Sequence, residues 1–317
     1  MPPRLSLMAG PAAPAFAEAY PSKPIRLLAP GAPGSPTDIR GRWLAHKLGA
    51  ALGRAVVMDN RPGAGGGIAT EAGAKSAPDG YTLLVVHQGT LALNPHMYAR
   101  LGYDPITDFA PISRVGMTPL VLAVPPGFPV NSVAGLVQYA KQRPGQLDYG
   151  SPGSGTPSHV AGELFKRMAG IDVLHVPYKG SSPVLIDLIA GRLTYTLDAA
   201  AALMPSVQAG KLKALGVTSA KRTAALSGLP TLAESGVPGY EYWAWQGIVA
   251  PAGTPREIVN RLNAEIVKIL NTPEAREWFA EQGGEPVSDT PAGFAAYIRA
   301  EHAKWGPVIR EAGIKAD

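Results

Sequence analysis

The sequence predicts a two-lobed α/β protein with a ligand cleft between its lobes. Short apolar strands alternate with amphipathic helices, the pattern of a mostly parallel sheet covered by helices. That alternation starts afresh at "PLVLAVPPG" (Pro119–Gly127), which makes two sets of similar size. A helix-rich stretch after about residue 240 follows the second set and packs most simply by returning to the first. The chain has 317 residues, more than one small core needs. These readings place lobe 1 at 20–120 plus 240–317 and lobe 2 at 121–239. Two crossing segments, near Leu120–Val124 and Trp243–Val249, then form a hinge beside a cleft.

In order, "PIRLLAP" reads as a strand and "DIRGRWLAHKLGAALG" as a helix with Ile39, Trp43 and Leu48 near one face. "AVVMDN", "IATEAGAKSA" and "YTLLVVHQG" continue as strand, helix and strand, and "TLALNPHMYARL" is helical in part. The second set runs through the strands "LDYGS", "DVLHVPYKG", "LTYTLDA" and "LKALGVTS", with helices between them. The last region holds "WQGIVAPAG" and three helices. Thr254-Pro255 and Thr290-Pro291 each read as a hydroxyl cap followed by Pro at the first helical position.

Bulk properties narrow the function classes. Hydrophobic residues make up 46% of the chain, as in a globular protein, and no apolar run approaches the roughly 18 residues of a membrane span. The formal net charge is +5, yet the cations are scattered without interleaved aromatics, which argues against nucleic-acid binding. There is no cysteine, so disulfides, thiolate metal sites and a Cys nucleophile are excluded. The first residues carry Arg4, a weakly apolar stretch and "AFA" at 15–17, a small-x-small cleavage pattern. Residues 1–19 are therefore read as an export leader or a disordered tail and kept out of the fold.

Two loops carry the chemistry. "PGAPGSPTD" follows the first strand, and "YGSPGSGTPSHVAGELF" (Tyr149 to Phe165) follows a strand of the second set. Both join a strand to a helix and combine Gly, Pro and Ser/Thr. Unpaired N–H groups at a helix start and the positive end of its dipole favour an anion. Thr37 or Asp38 is the expected cap of the first helix, and Thr156 or Ser158 that of the second.

Phosphate templates fail. No G-x-x-x-x-G-K-[ST] occurs, and "DNRPGAGGGIAT" has Gly63 and Gly65 but Ile68 where a third glycine is needed. No G-x-S-x-G elbow occurs either. His159 and Glu163 stand four apart on a helix without an HExxH pattern, so an exposed pair is the simpler account than a metal site. His175 reads as a structural strand residue. Asp198 ends an apolar strand and so faces the carboxyl end of the sheet, where α/β proteins bind ligands; capping the next helix is the other reading. Thr90 is the cleft hydroxyl expected from "HQGTLALNP".

These stretches, with "APDGYTLL", "YDPITDFAPIS", "HVPYKGSSPVLIDLIAG" and "APAGTP", resemble the tripartite tricarboxylate transporter substrate-binding family, the TctC/Bug-type periplasmic solute receptors, from about Tyr20 to the C-terminus. The resemblance implies a type II periplasmic-binding-protein fold, no catalysis and no cofactor. It further implies that both loops grip one ligand carboxylate. On this chain that nominates Gly31, Pro33, Gly34, Ser35 and Asp38 on one side and Ser151, Ser154, Gly155, Thr156 and His159 on the other. Asp198 and Thr90 line the distal part.

The first loop departs from the family spelling P-[FY]-x-x-G-G-x-x-D, with Gly31 for the aromatic, Ser35 for the second glycine, and Pro36 next. Loss of the aromatic is expected to widen the pocket or remove a stacking wall, and so to suit a bulkier ligand such as an aromatic acid. The expected function is capture of a carboxylate-bearing organic acid in the periplasm by a monomer that serves membrane permease subunits. A hydrolase or transferase in the same cleft, and a sensor without a transporter, are the alternatives.

Overall fold

The computed structural model describes residues 20–316; the leader expected at 1–19 lies outside them. Two five-stranded mixed sheets organise the chain. The first contains β1 (Ile25–Ala29), β2 (Val56–Asn60), β3 (Thr82–His87), β4 (Phe109–Thr118) and, from far along the chain, β10 (Ala244–Pro251), in the order β2-β1-β3-β10-β4. The second contains β5 (Leu120–Val124), β6 (Asp148–Ser151), β7 (Leu174–Pro177), β8 (Tyr195–Ala199) and β9 (Lys213–Val217), in the order β7-β6-β8-β5-β9. In each, the fourth strand runs antiparallel to its neighbours and arrives from the other half of the chain. The sheets are thus cross-linked by exchange: β5 follows β4 through Pro119 alone, and β10 brings the chain back.

Alternation along β3 sets the layers of the first sheet. Leu83 and Val85 face α1 (Pro36–Leu52) and α8 (Arg256–Leu270), packing with Leu44, Leu48, Leu262 and Ile266. Leu84 and Val86 face α2 (Gly67–Ala74) and α10 (Pro291–Glu311), packing with Ala69, Phe294 and Ile298. Both faces are covered, as a central parallel strand requires.

Thr218, just past β9, ties the crossing segments together. Its hydroxyl accepts the Leu120 N–H at 2.7 Å and donates to the Tyr242 carbonyl at 2.9 Å. Its own N–H reaches the Leu120 carbonyl and its carbonyl accepts the Tyr242 N–H. The chain therefore changes sheets at Pro119 and before Ala244; Leu120–Val124 and most of Trp243–Val249, read as hinge, are sheet strands.

Other differences have local causes. β4 escapes a pattern reading because Pro111, Arg114 and Gly116 interrupt it; an edge strand tolerates proline. In α1 the buried stripe runs through Gly41, Leu44, Leu48 and Leu52, and Ile39 is exposed. Gly41 lets the helix settle onto Met58 and Val85, since a Cβ there would lie 2.7 Å from the Met58 methyl. Thr290 caps α10 as expected, but α8 begins at Arg256, and the Thr254 hydroxyl instead donates back to the Pro251 carbonyl.

Candidate ligand-binding cleft

The two Gly/Pro-rich loops stand at the carboxyl ends of β1 and β6, one on each sheet. In the first, Ser35 rather than Thr37 or Asp38 is the N-cap of α1, accepting the Asp38 N–H at 3.3 Å, and Pro36 takes the first helical position. Asp38 is buried and turned into the loop. It accepts the Gly34 N–H and the Asn60 amide, each at 2.9 Å, and forms an ion pair with Arg42. Burial works against its charge, but the bonds from Arg42, Gly34 and Asn60 outweigh it and hold the carboxyl below the ordinary aspartate value. Asp38 therefore shapes the loop. With the Gly34 N–H spent on Asp38, the Ser35 N–H spent on the Ala32 carbonyl, and none on Pro33 or Pro36, the backbone N–H groups of this loop without a partner among the described residues are those of Gly31, Ala32 and Thr37.

The space on the Cβ side of Gly31 is occupied. A Cβ built there would overlap the hydroxyls of Ser35 and Thr37, which hydrogen-bond each other at 3.0 Å. The Ser35 side chain fills the volume on that side of Gly31.

In the second loop Thr156 caps α5 (Pro157–Ala169), accepting the His159 N–H and donating to the Gly153 carbonyl. The Gly155 N–H donates to His159 Nδ1 at 3.0 Å, and the Ser151 hydroxyl lies 2.7 Å from His175 Nε2. The two imidazoles stack with centroids 3.7 Å apart and planes 8° from parallel. Burial, with Lys166 nearby, lowers His159 to about 4; burial, with His159 and Lys166, does the same for His175. Both rings are thus neutral at pH 7, and His159 serves as the acceptor that shapes the loop. Ser154 is exposed at the tip, with neither its N–H nor its hydroxyl engaged among the described residues. Gly155 faces the other lobe: a Cβ there would lie 3.0 Å from Met97 Sδ, on α3 (Asn94–Met97).

Asp198, last but one in β8, accepts the Ser158 hydroxyl at 3.1 Å and the Ala199 N–H at 2.8 Å on Oδ1, while its buried Oδ2 accepts no hydrogen bond within 3.5 Å among the described residues. Burial pushes its carboxyl up, opposed by Ser181, the Ala199 N–H and Ser158. Thr90 is fully buried, and its hydroxyl bonds both the carbonyl and the N–H of His87, closing the turn after β3.

Several polar residues of this region escape a sequence reading. Ser158 and His175 are brought in by the second sheet: His175 pairs with Tyr149 across β6 and β7, which sets it diagonally beside Ser151. Arg40 of α1 is buried on the lobe-1 side, donating to the Thr118 hydroxyl. His87 and Gln246 face each other across β3 and β10. Among the described residues no cluster of His, Asp and Glu is arranged to hold a metal, and Glu163 instead accepts the Tyr149 hydroxyl and pairs with Lys166. A hollow of about 580 Å³ beside Pro125, Phe128, Tyr139, Asp148 and Arg192 opens where β6 and β8 begin, the opposite end of the second sheet from its Gly/Pro-rich loop.

Comparisons with known proteins identify the family. A family model described as "Tripartite tricarboxylate transporter family receptor" matches residues 41–314. Protein BugT of Bordetella pertussis is 38% identical over 308 residues, covering 97% of this chain and 94% of that protein. Rpa4515 of R. palustris, solved with adipate, is 42% identical with a TM-score of 0.81, covering 93% of this chain and 99% of its own. MatC (Rpa3494) of Rhodopseudomonas palustris, solved with bound malate, is 30% identical with a TM-score of 0.76, covering 92% and 100%. No helix among the described residues is long and apolar enough to cross a membrane. The chain belongs to the tripartite tricarboxylate transporter receptor family, the TctC/Bug-type periplasmic solute-binding proteins, which are non-catalytic receptors built on this two-lobed α/β fold.

Proposed function

We propose that this receptor, exported to the periplasm, closes as a monomer around one small organic acid and delivers it to the membrane subunits of a tripartite transporter. The observation that carries the reading is the pairing of two like-built loops. Ser35-capped α1 and Thr156-capped α5 each open at the carboxyl end of a strand, one on each sheet. Each presents helix N–H groups and a positive dipole end, which suits a carboxylate. Thr37 and Ser154 supply unspent donors, while Asp38, Thr156 and His159 hold the loops in shape. The relatives solved with adipate and malate support a dicarboxylate as the class of ligand.

The lobes in this reading are 20–120 plus 240–317 and 121–239, turning about Pro119 and the Thr218–Tyr242 junction. The acid selects the closed form because only that form brings both loops to it, a population shift set by differential affinity. Thermal-shift screening against mono-, di- and tricarboxylates tests this: a bound acid raises the unfolding midpoint by mass action and is recovered chemically unchanged. Conversion of the acid would instead support a hydrolase or transferase. Uptake that persists in a strain lacking the receptor would support the sensor reading.

A further inference from the structure

Four Asp, Glu, Lys or Arg side chains are more than nine-tenths buried among the described residues: Asp38, Arg40, Asp198 and Glu301. Asp38 is paired with Arg42, and Glu301 Oε2 accepts N–H bonds from Gln88, Trp245 and Trp305. Asp198 has two donors on one oxygen. Arg40 is the buried cation, and it has no acid within ion-pair distance among the described residues. One bond to the Thr118 hydroxyl and the face of Phe279, 5.7 Å from the guanidinium, are its polar and aromatic contacts. Most of its five N–H donors are unspent. A buried charge left unpaired is costly, so its retention calls for a counter-charge supplied from elsewhere.

The fold places this guanidinium between the first loop and the Pro119 crossing. Arg40 lies in the first turns of α1, directly after the anion-favouring loop. Thr118 is the last residue of β4, one residue before the Pro119 crossing. The guanidinium also stands 3.5 Å from where a Cβ on Gly284 would lie, and the adjoining Gly283 meets Ala200 of the other lobe, its own Cβ position 3.0 Å from the Ala200 methyl. Strand register brings further unspent polar groups to the same sheet face. Gln246 sits opposite Gly116 on one side and His87 on the other; among the described residues its buried Oε1 has no hydrogen bond and the His87 ring has no partner. From lobe 2, α7 (Ala200–Gln208) aims a start that lacks a side-chain cap at this corner.

We propose that Arg40 is the specificity-determining cation of the cleft, pairing with the second carboxylate of a dicarboxylate whose first carboxylate is held by the two loops. The inference rests on the carboxylate-receptor reading and adds the choice between diacid and monoacid. A carboxylate bound between Arg40 and the start of α7 would also join the lobes, so the diacid would favour closure where a monoacid of equal length would not.

Calorimetric titration of the full chain with succinate, malate and adipate, set against butyrate and hexanoate, tests it in wild type, Arg40→Met and Arg40→Lys. Wild type should prefer a diacid over the monoacid of equal length. Arg40→Met should lose roughly 30-fold or more in diacid affinity and change monoacid affinity by less than about 3-fold, the cost expected for a desolvated charge pair. Arg40→Lys, which keeps the charge without the planar fork, should stay within about 10-fold of wild type. Ligand-free Arg40→Met should unfold at the wild-type midpoint or above it. Equal losses for both kinds of acid, or an unchanged diacid affinity in Arg40→Met, overturns the proposal while the carboxylate reading stands. Wild type that binds none of these acids overturns both.

Discussion

Asp38 accepts the N–H of Gly34 at 2.9 Å and so locks the first loop onto the helix that follows it. A carboxylate beside a loop proposed to hold an acid looks misplaced until its bonds are counted. Arg42 balances its charge, Asn60 fixes its second oxygen, and the same Asn60 amide reaches the Gly31 carbonyl at 2.9 Å. Asp38→Ala should therefore lower stability by about 2 kcal/mol, the scale for hydrogen bonds to a charged group, and weaken acid binding through a loosened loop. Denaturant melts and a binding isotherm check both. The sign of the pH dependence follows from a lowered folded-state pKa: the contribution of Asp38 is complete above the ordinary aspartate value and is lost as pH falls below it. Asp38→Asn should flatten that acid limb.

Gly31 and Ser35 occupy one volume between them. Gly31→Ala should destabilise by about 1–3 kcal/mol through overpacking against the Ser35 and Thr37 hydroxyls. Ser35→Gly alone should cost little, since glycine is a tolerated cap. The double variant should be more stable than the two single losses predict, by about 0.5 kcal/mol or more. Additive losses in a double-mutant cycle would show that the two positions do not share space.

Three histidines, His87, His159 and His175, are each brought down to about 4, burial being the main cause. The folded state then binds fewer protons than the unfolded chain between the ordinary histidine value of about 6.5 and about 4. Stability should rise with pH across that window and be lost as pH falls through it. Thermal midpoints measured from pH 7 to 4 check this, and His159→Gln, which keeps an acceptor for the Gly155 N–H, should reduce the slope.

Thr218→Val should leave the buried Leu120 N–H and the Tyr242 carbonyl without the hydroxyl they share. The expected loss is about 1–3 kcal/mol, the penalty for an unsatisfied buried group. Because the staple joins both crossing segments, small-angle scattering should also show a changed response to ligand. A variant of wild-type stability would remove Thr218 from the hinge.

The periodic parts of this fold were legible in the chain. The loop–helix pairs at Ser35 and Thr156 stood out through their Gly, Pro and hydroxyl spelling, and the family resemblance named the fold. β4 was hidden because Pro111 and Gly116 mask an edge strand whose ladder is completed by β10, more than a hundred residues away. Arg40 was hidden because an amphipathic reading assigns charged helix positions to solvent, and only the approach of α9 (Pro273–Glu281) and β4 encloses it. His175 looked structural because its neighbour Ser151 is set by strand register and not by sequence distance. Local patterns report caps and periods, whereas burial of a polar group depends on which distant element covers it.

The most direct test of the account is a calorimetric titration of the full chain with adipate and malate at pH 7, followed by analysis of the recovered acid. A carboxylate receptor predicts saturable binding of one molecule per chain, a thermal midpoint that climbs with ligand concentration, and an unaltered acid. Absence of heat and of any midpoint shift across the whole carboxylate panel, or recovery of a chemically changed acid, would contradict it.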